Sequence, residues 1–193
     1  MTDPMVSFIS RTRLSQSDFE EWTRQTAVSP YRSELIRGHV VMEPPAGYRH
    51  GRTTVRMVHA LRSFVEARDL GEVLESSTGF HLPTGDTLAP DITFISHERL
   101  AGVPDQDPER FLRAVPDLVV EVLSESTRQR DMKTKRAIYQ ASGVREYWLV
   151  DPRAQVITLV LFESGTEQTF AAGDVVRSSV LAGLEIAVVD MFR

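Results

Sequence analysis

Apolar residues along this chain change period several times, and each change marks an element. Between Tyr48 and Asp69, the side chains Val55, Val58, Leu61 and Val65 recur at three- and four-residue spacing, which predicts a long amphipathic helix closed by Gly71. A shorter helix is expected over about Ser15 to Gln25, with Ser15 or Ser17 as N-cap and Phe19 and Trp22 forming a broken stripe. Tyr31 to Met42 alternates on either side of Arg37-Gly38, so it reads as strand, turn, strand, with glycine supplying the positive φ of a tight hairpin. Val73 to Leu82 and Leu88 to Ile95 flank Pro83-Thr84-Gly85-Asp86 and predict a second hairpin. The stretch from Ser96 to Pro116 is charged, contains prolines and has no period, so it reads as a flexible loop with one helical turn around Glu109 to Leu112.

The second half is more apolar. Asp117 to Leu123 is apolar on both pleat faces except at Glu121, the pattern of a strand inside a covered sheet. A helix from about Arg128 to Ser142 follows, closed by Gly143 in a C-cap position. Glu146 to Val150 reads as another buried strand, stopped by Asp151-Pro152. Short strands are expected at Gln155–Phe162, Glu167–Phe170, Val175–Val180 and Ile186–Val189. No repeat, linker or low-complexity segment divides the 193 residues, so we read one α/β domain over 1–193, with a helical extension over 1–28 and a core over 29–193.

Composition narrows the chemistry. The absence of cysteine removes disulfides and thiolate zinc sites, leaving oxygen or imidazole as metal ligands. The N-terminus lacks the apolar stretch of a signal peptide and the run Val156 to Phe162 is too short to cross a bilayer, so a cytoplasmic protein without membrane contact is expected. A net charge of −5, from 22 basic and 27 acidic residues, argues against coating nucleic acid by bulk attraction. Two local basic groups remain: Arg49, His50, Arg52 and Arg56, and Arg128, Arg130, Lys133, Lys135 and Arg136. Each is readable as a phosphate-binding patch or as a solvated helix face.

Three acids stand where apolar residues are expected. Glu121 is surrounded by Val119, Val120, Val122 and Leu123; Asp91 opens the apolar strand Ile92 to Ile95; and Glu34 interrupts the first hairpin strand. An unpaired buried carboxylate costs several kcal/mol, so something positive must meet these groups. Hard oxygen donors select Mg²⁺ or Mn²⁺. Lys135 is another source of charge: 100° per residue places it between Ile138 and Tyr139, on the helix face that packs on the sheet, whereas Lys133 lies about 160° away. From spacing alone, a plain Lys135–Glu121 salt bridge and a functional site are both open. Asp131, one turn earlier, is placed to support Lys135 as an i,i+4 pair, and His50 is readable as a phosphate contact or as a hydrogen-bonding residue of the helix start.

Together these residues resemble a known pattern. Pro90-Asp91, then Pro116-Asp117-Leu118-Val119-Val120-Glu121-Val122-Leu123-Ser124, then Asp131 and Lys135 ahead of Tyr139, and finally Gly143 to Pro152 are similar to the Uma-type family of restriction endonucleases within the PD-(D/E)XK superfamily. Glu34-Leu35-Ile36-Arg37-Gly38, His50 and Leu181-Ala182-Gly183-Leu184 extend the likeness over about Tyr31 to Phe192. The resemblance implies a restriction-endonuclease-like α/β (α+β) core with a central mixed β-sheet flanked by helices. It implies Asp91 and Glu121 as ligands of Mg²⁺ or Mn²⁺, Glu34 as an accessory acid and Lys135 as the catalytic lysine. It further implies DNA as substrate, and Lys133 is the other candidate for the lysine. From the basic groups and helix phase, His50, Arg52, Arg128, Asp131 and Lys133 are candidates for substrate-binding or supporting roles. One departure is plain: the superfamily pattern puts its lysine two residues after the acid, where this chain has Leu123. A homodimer is expected, since a two-stranded target needs two sites. Signatures of serine hydrolases, P-loop enzymes, dinucleotide-binding proteins and HExxH metalloproteases are all missing. The rival reading is a catalytically inactive nuclease-fold module that binds nucleic acid or a protein partner.

Overall fold

The computed structural model describes residues 8–26, 31–103, 107 and 109–193. Its elements run β1 (Phe8–Arg13), α1 (Gln16–Gln25), β2 (Arg32–Ile36), β3 (His39–Glu43), α2 (Tyr48–Glu66), β4 (Gly71–Glu75), β5 (Phe80–His81), β6 (Thr87–Leu88), β7 (Ile92–Ser96), α3 (His97–Ala101) and β8 (Leu118–Val122). A π-helical stretch (Arg130–Lys135) then leads into α4 (Arg136–Ser142), followed by β9 (Glu146–Asp151), β10 (Val156–Leu161), β11 (Thr166–Phe170), β12 (Val175–Arg177), β13 (Glu185–Ala187) and α5 (Val188–Phe192).

The central sheet has six strands in the order β11-β10-β9-β8-β7-β4 and is mixed: β8 and β9 are parallel, and the other neighbours are antiparallel. A parallel pair needs a crossover, and the helical segment from Arg130 to Ser142 supplies it. On one face of this sheet, Met57, Leu61 and Val65 of α2 join Ile92, Phe94, Leu118, Val120 and Trp148. On the other, Ile138 and Tyr139 of α4 join Val119, Tyr147 and Leu149, together with Ile36, Val41, Phe80 and Leu88. The last four belong to a second sheet of order β1-β3-β2-β6-β5, which lies over that face. Glu121 shares the pleat parity of Val119, so it points into the space between the two sheets and α4.

Most expected elements form. Ser15 caps α1 with a reciprocal capping box, and Arg37 and Gly38 both carry positive φ (52° and 81°) in the β2–β3 turn. Gly143 (φ 89°) closes α4. Four expectations need correction. The second hairpin is divided: β4 and β7 pair within the large sheet, whereas β5 and β6 pair within the small one, so the chain crosses between sheets near 76–79 and 89–91. The segment over 1–28 contains a strand, β1, that extends the small sheet beside β3. Within Ser96–Pro116 the helix α3 forms, capped by Ser96, while 104–106 and 108 lie outside the described residues, as do 1–7 and 27–30. The tail ends in α5, not a strand, and Val188, Met191 and Phe192 bury into the main core.

Candidate functional site

Alternation along β2 places Arg32, Glu34 and Ile36 on one face, and pairing with β3 adds Glu43 opposite Arg32 and Val41 opposite Glu34. That face looks toward β8 and the crossover helix. Glu34, Glu121, Asp131 and Lys135 consequently meet in the interior, none more than 2% exposed. Lys135 Nζ stands 2.9 Å from Glu34 Oε1, 3.1 Å from Glu121 Oε1 and 3.7 Å from Asp131 Oδ1. The Tyr139 hydroxyl donates to Glu121 Oε1 at 2.7 Å, and the Ala89 N–H donates to Glu34 Oε1 at 2.9 Å. Lys133 is exposed, so the inward lysine is Lys135. The π-helical geometry of Arg130–Lys135, a distortion frequent at functional sites, turns both Asp131 and Lys135 inward.

Asp91 sits where the second hairpin crosses between sheets, and it meets a different set of groups. Arg32 contacts its Oδ1 at 2.8 Å, while the Val122 N–H (2.8 Å) and His50 Nε2 (3.1 Å) contact its Oδ2. Asp91 thus pairs with Arg32 and His50, while Lys135 pairs with Glu34, Glu121 and Asp131. The other Arg32 nitrogen contacts Glu43 Oε2 at 2.8 Å, and Arg130 contacts Glu43 Oε1 at 2.5 Å. A cleft of about 580 Å³ opens above this group, lined by Arg32, Glu43, Gly47, His50, Asp91 and the 124–127 loop.

The electrostatics divide the acids into two kinds. Burial opposes ionisation of Asp91, yet the His50 hydrogen bond and the Arg32 charge outweigh it and hold the carboxyl below its usual range. Glu43 is likewise held low, by Lys135, Arg32 and Arg130 against burial. Glu121 goes the other way: burial, reinforced by Asp131, Asp91 and Glu34, overcomes Lys135 and raises it well above an ordinary glutamate. Burial also pushes Asp131 up to about 6. Lys135 loses by desolvation but gains more from Glu121, Glu34 and Asp131, and keeps its proton.

A control within the fold shows what is unusual about this cluster. Glu146 also opens an apolar strand and is fully buried, but its oxygens are saturated by Trp148 Nε1 (2.6 Å) and the N–H groups of Ser179 (2.8 Å) and Val180 (3.1 Å). Glu34 Oε2 and Glu121 Oε2, in contrast, are buried and lack a hydrogen-bond partner among the described residues. Such oxygens are the donors a hard divalent cation takes. Among the described residues, however, no three acidic or histidine side chains are already gathered in a metal-holding group. The donor chemistry fits a divalent ion, while Asp91 Oδ1 is engaged by Arg32.

The supporting residues divide. His50 and Asp131 belong to the site, whereas Arg52 donates to the Phe192 carbonyl (2.8 Å), Arg128 pairs with Asp151, and neither lines the cleft. Sequence reasoning missed Arg32, Glu43 and the Tyr139 hydroxyl, and read Arg130 only as part of a basic group. For Arg32 a signal was available, because it stands two residues before Glu34 and must share its strand face.

Comparison with known proteins agrees with the fold. The Uma2 family, described as "Putative restriction endonuclease", matches residues 17–189. A solved structure titled as a putative nuclease belonging to DUF820 from Anabaena variabilis ATCC 29413 superposes with a TM-score of 0.70 at 19% identity, covering 83% of this chain and 89% of that one. No curated protein matches the chain. Among the described residues, no helix is long and apolar enough to cross a membrane.

Proposed function

Because this chain belongs to the Uma2 family of restriction-endonuclease-like proteins, we propose that it is a metal-dependent endonuclease hydrolysing phosphodiester bonds in DNA. The observation that carries the reading is the Lys135 ammonium between Glu34 and Glu121, whose second carboxylate oxygens are buried and without a hydrogen-bond partner among the described residues, in a fold whose cleft is lined by Asp91. Asp91, Glu121 and Glu34 would hold Mg²⁺ or Mn²⁺. Such an ion supplies Lewis acidity toward a phosphoryl oxygen and lowers the pKa of bound water.

The chain's own residues do the rest. Lys135 keeps its charge in a water-excluded position, where it offsets negative charge building on the phosphoryl group far more effectively than in bulk water. Asp131 and Tyr139 fix that ammonium and the Glu121 carboxylate in place. His50 and the Val122 N–H orient Asp91. At the cleft wall, α2 begins at Gly47 with no side-chain cap and no acid in its first turn, so its N–H groups are available to a phosphate. A homodimer would set two such clefts on the two strands of a duplex.

One observation favours a second reading, a nuclease-fold module without catalysis: the lysine and its carboxylates are sealed, as in a structural ion cluster. Incubation of the chain with supercoiled and single-stranded DNA in Mg²⁺ or Mn²⁺ separates the two. The nuclease reading expects cleavage that Asp91→Asn removes from a folded protein. No cleavage by the wild type across metals and substrates supports the module.

A further inference from the structure

Among the described residues, Arg32 is the one lining the cleft that bridges Asp91 to a second carboxylate by ion pairs. One guanidinium nitrogen contacts Asp91 Oδ1 and the other Glu43 Oε2, both at 2.8 Å, using the planar fork that an ammonium lacks. Asp91 Oδ2 is already committed to the Val122 N–H and His50. Oδ1 is therefore the Asp91 oxygen left for another cation, and Arg32 holds it.

Arg32 also stands between two openings. It lines the cleft of about 580 Å³ containing His50, Gly47 and the 124–127 loop. It equally lines a cavity of about 440 Å³ bordered by Thr23, Thr26, Tyr31, Ser33 and Ser77. With Ser76 it forms the partition between them. Glu43 is the fixed end of this device: it sits on β3 opposite Arg32, and Arg130 grips its other oxygen. The Glu43 contact uses one guanidinium nitrogen and leaves the other as the one that meets Asp91 at the cleft lining.

We propose that Arg32 is a phosphate-binding, positioning residue that occupies the Asp91 cation position until a phosphodiester draws it away, so that metal loading and nucleic-acid binding favour one another. This rests on the nuclease reading above. A phosphodiester that attracts the guanidinium frees Asp91 Oδ1, and a divalent ion that takes Asp91 Oδ1 frees the guanidinium. The two affinities must then rise by the same factor, since linkage is reciprocal. It also joins the two openings into one groove across Asp91, with the hydroxyl-bearing cavity accepting the chain that flanks the bound phosphate.

The test measures Mn²⁺ affinity of the full chain by calorimetry and by electron paramagnetic resonance, with and without a cleavage-resistant phosphorothioate single-stranded oligonucleotide. Wild type is expected to bind Mn²⁺ about tenfold more tightly with the oligonucleotide present, within the usual range of coupling between two sites. Arg32→Met should bind Mn²⁺ more tightly than wild type in its absence and should not respond to its addition. Arg32→Lys keeps the charge but cannot bridge both carboxylates, and should show a reduced response; if either variant fails to fold, the wild-type pair of titrations decides alone. Equal wild-type affinities with and without the oligonucleotide, or an undiminished response in Arg32→Met, overturn the coupling while leaving the nuclease reading intact. Mn²⁺ binding that is absent from wild type, or that survives Asp91→Asn unchanged, overturns the nuclease reading and this inference together.

Discussion

Replacing Lys135 by methionine removes one buried charge while keeping an unbranched side chain of similar length. In the wild type that ammonium has no solvent exposure and three carboxylates within 4 Å, at 2.9, 3.1 and 3.7 Å. Breaking a buried ion cluster on one side typically costs about 3–5 kcal/mol, because uncompensated charge remains in the interior. Against a usual domain stability of about 5–15 kcal/mol, that is a large fraction. The loss must depend on pH. Without Lys135 the folded-state pKa values of Glu121 and Asp131, already above their ordinary values of 4.5 and 3.8, move higher still. An acid whose folded pKa exceeds its unfolded one contributes stability that is present below the unfolded pKa and lost as pH rises through the folded one. The deficit should therefore be largest near about pH 8 and shrink toward about pH 5, where these acids take up protons. Urea unfolding followed by tryptophan fluorescence reports it, since Trp148 is fully buried. Adding Glu121→Gln to Lys135→Met should recover part of the loss at the higher pH. A deficit below about 1 kcal/mol, the scale of an exposed pair, or one equal at both pH values, would refute the reasoning.

Two further outcomes follow from the same physics. Asp131 has its carboxyl pushed up to about 6 from 3.8, so the wild type should lose stability relative to Asp131→Asn as pH rises between these values, by about 3 kcal/mol at 1.36 kcal/mol per unit; parallel melting-temperature profiles would contradict this. Asp91 and Glu43, held below their ordinary values, act oppositely at lower pH and cancel in that comparison. Gly71→Ala should cost about 3 kcal/mol in urea unfolding, because φ is 148° and an added Cβ would lie 2.1 Å from the Ile95 carbonyl oxygen; a loss under about 1 kcal/mol would show that β4 and β7 separate easily.

The buried charge cluster was more legible in the sequence than its surroundings, for identifiable reasons. Glu121 could be read because a charge in DLVVEVL violates the pattern of a covered strand, and Lys135 because helical phase groups it with Ile138 and Tyr139. Glu146 shows the limit of that logic. It violates EYWLV equally, and only the fold reveals that Trp148 and the Ser179–Val180 backbone satisfy it. Arg32 and Glu43 were illegible as a pair, since RSELI and HVVME look like ordinary half-exposed strand ends until β2 and β3 are placed in register. The divided hairpin escaped for a different reason. Alternation from Val73 to Leu82 is continuous in period, so nothing local says that its two halves join different sheets. A five-residue α5 is likewise too short for its period to be distinguished from a strand.

Glu121 serves chemistry in the nuclease reading and packing in the module reading, and one substitution separates the two. Glu121→Gln removes the charge at this position, keeps an acceptor for Tyr139, and leaves Glu34 and Asp131 facing Lys135, so the cluster is not stripped of its acids. Mn²⁺-supported DNA cleavage by this variant, measured beside its unfolding curve, is the most direct test. A folded protein whose cleavage falls at least about a hundredfold, the scale of one lost charge-stabilising group, is the predicted result. Cleavage equal to wild type would contradict it.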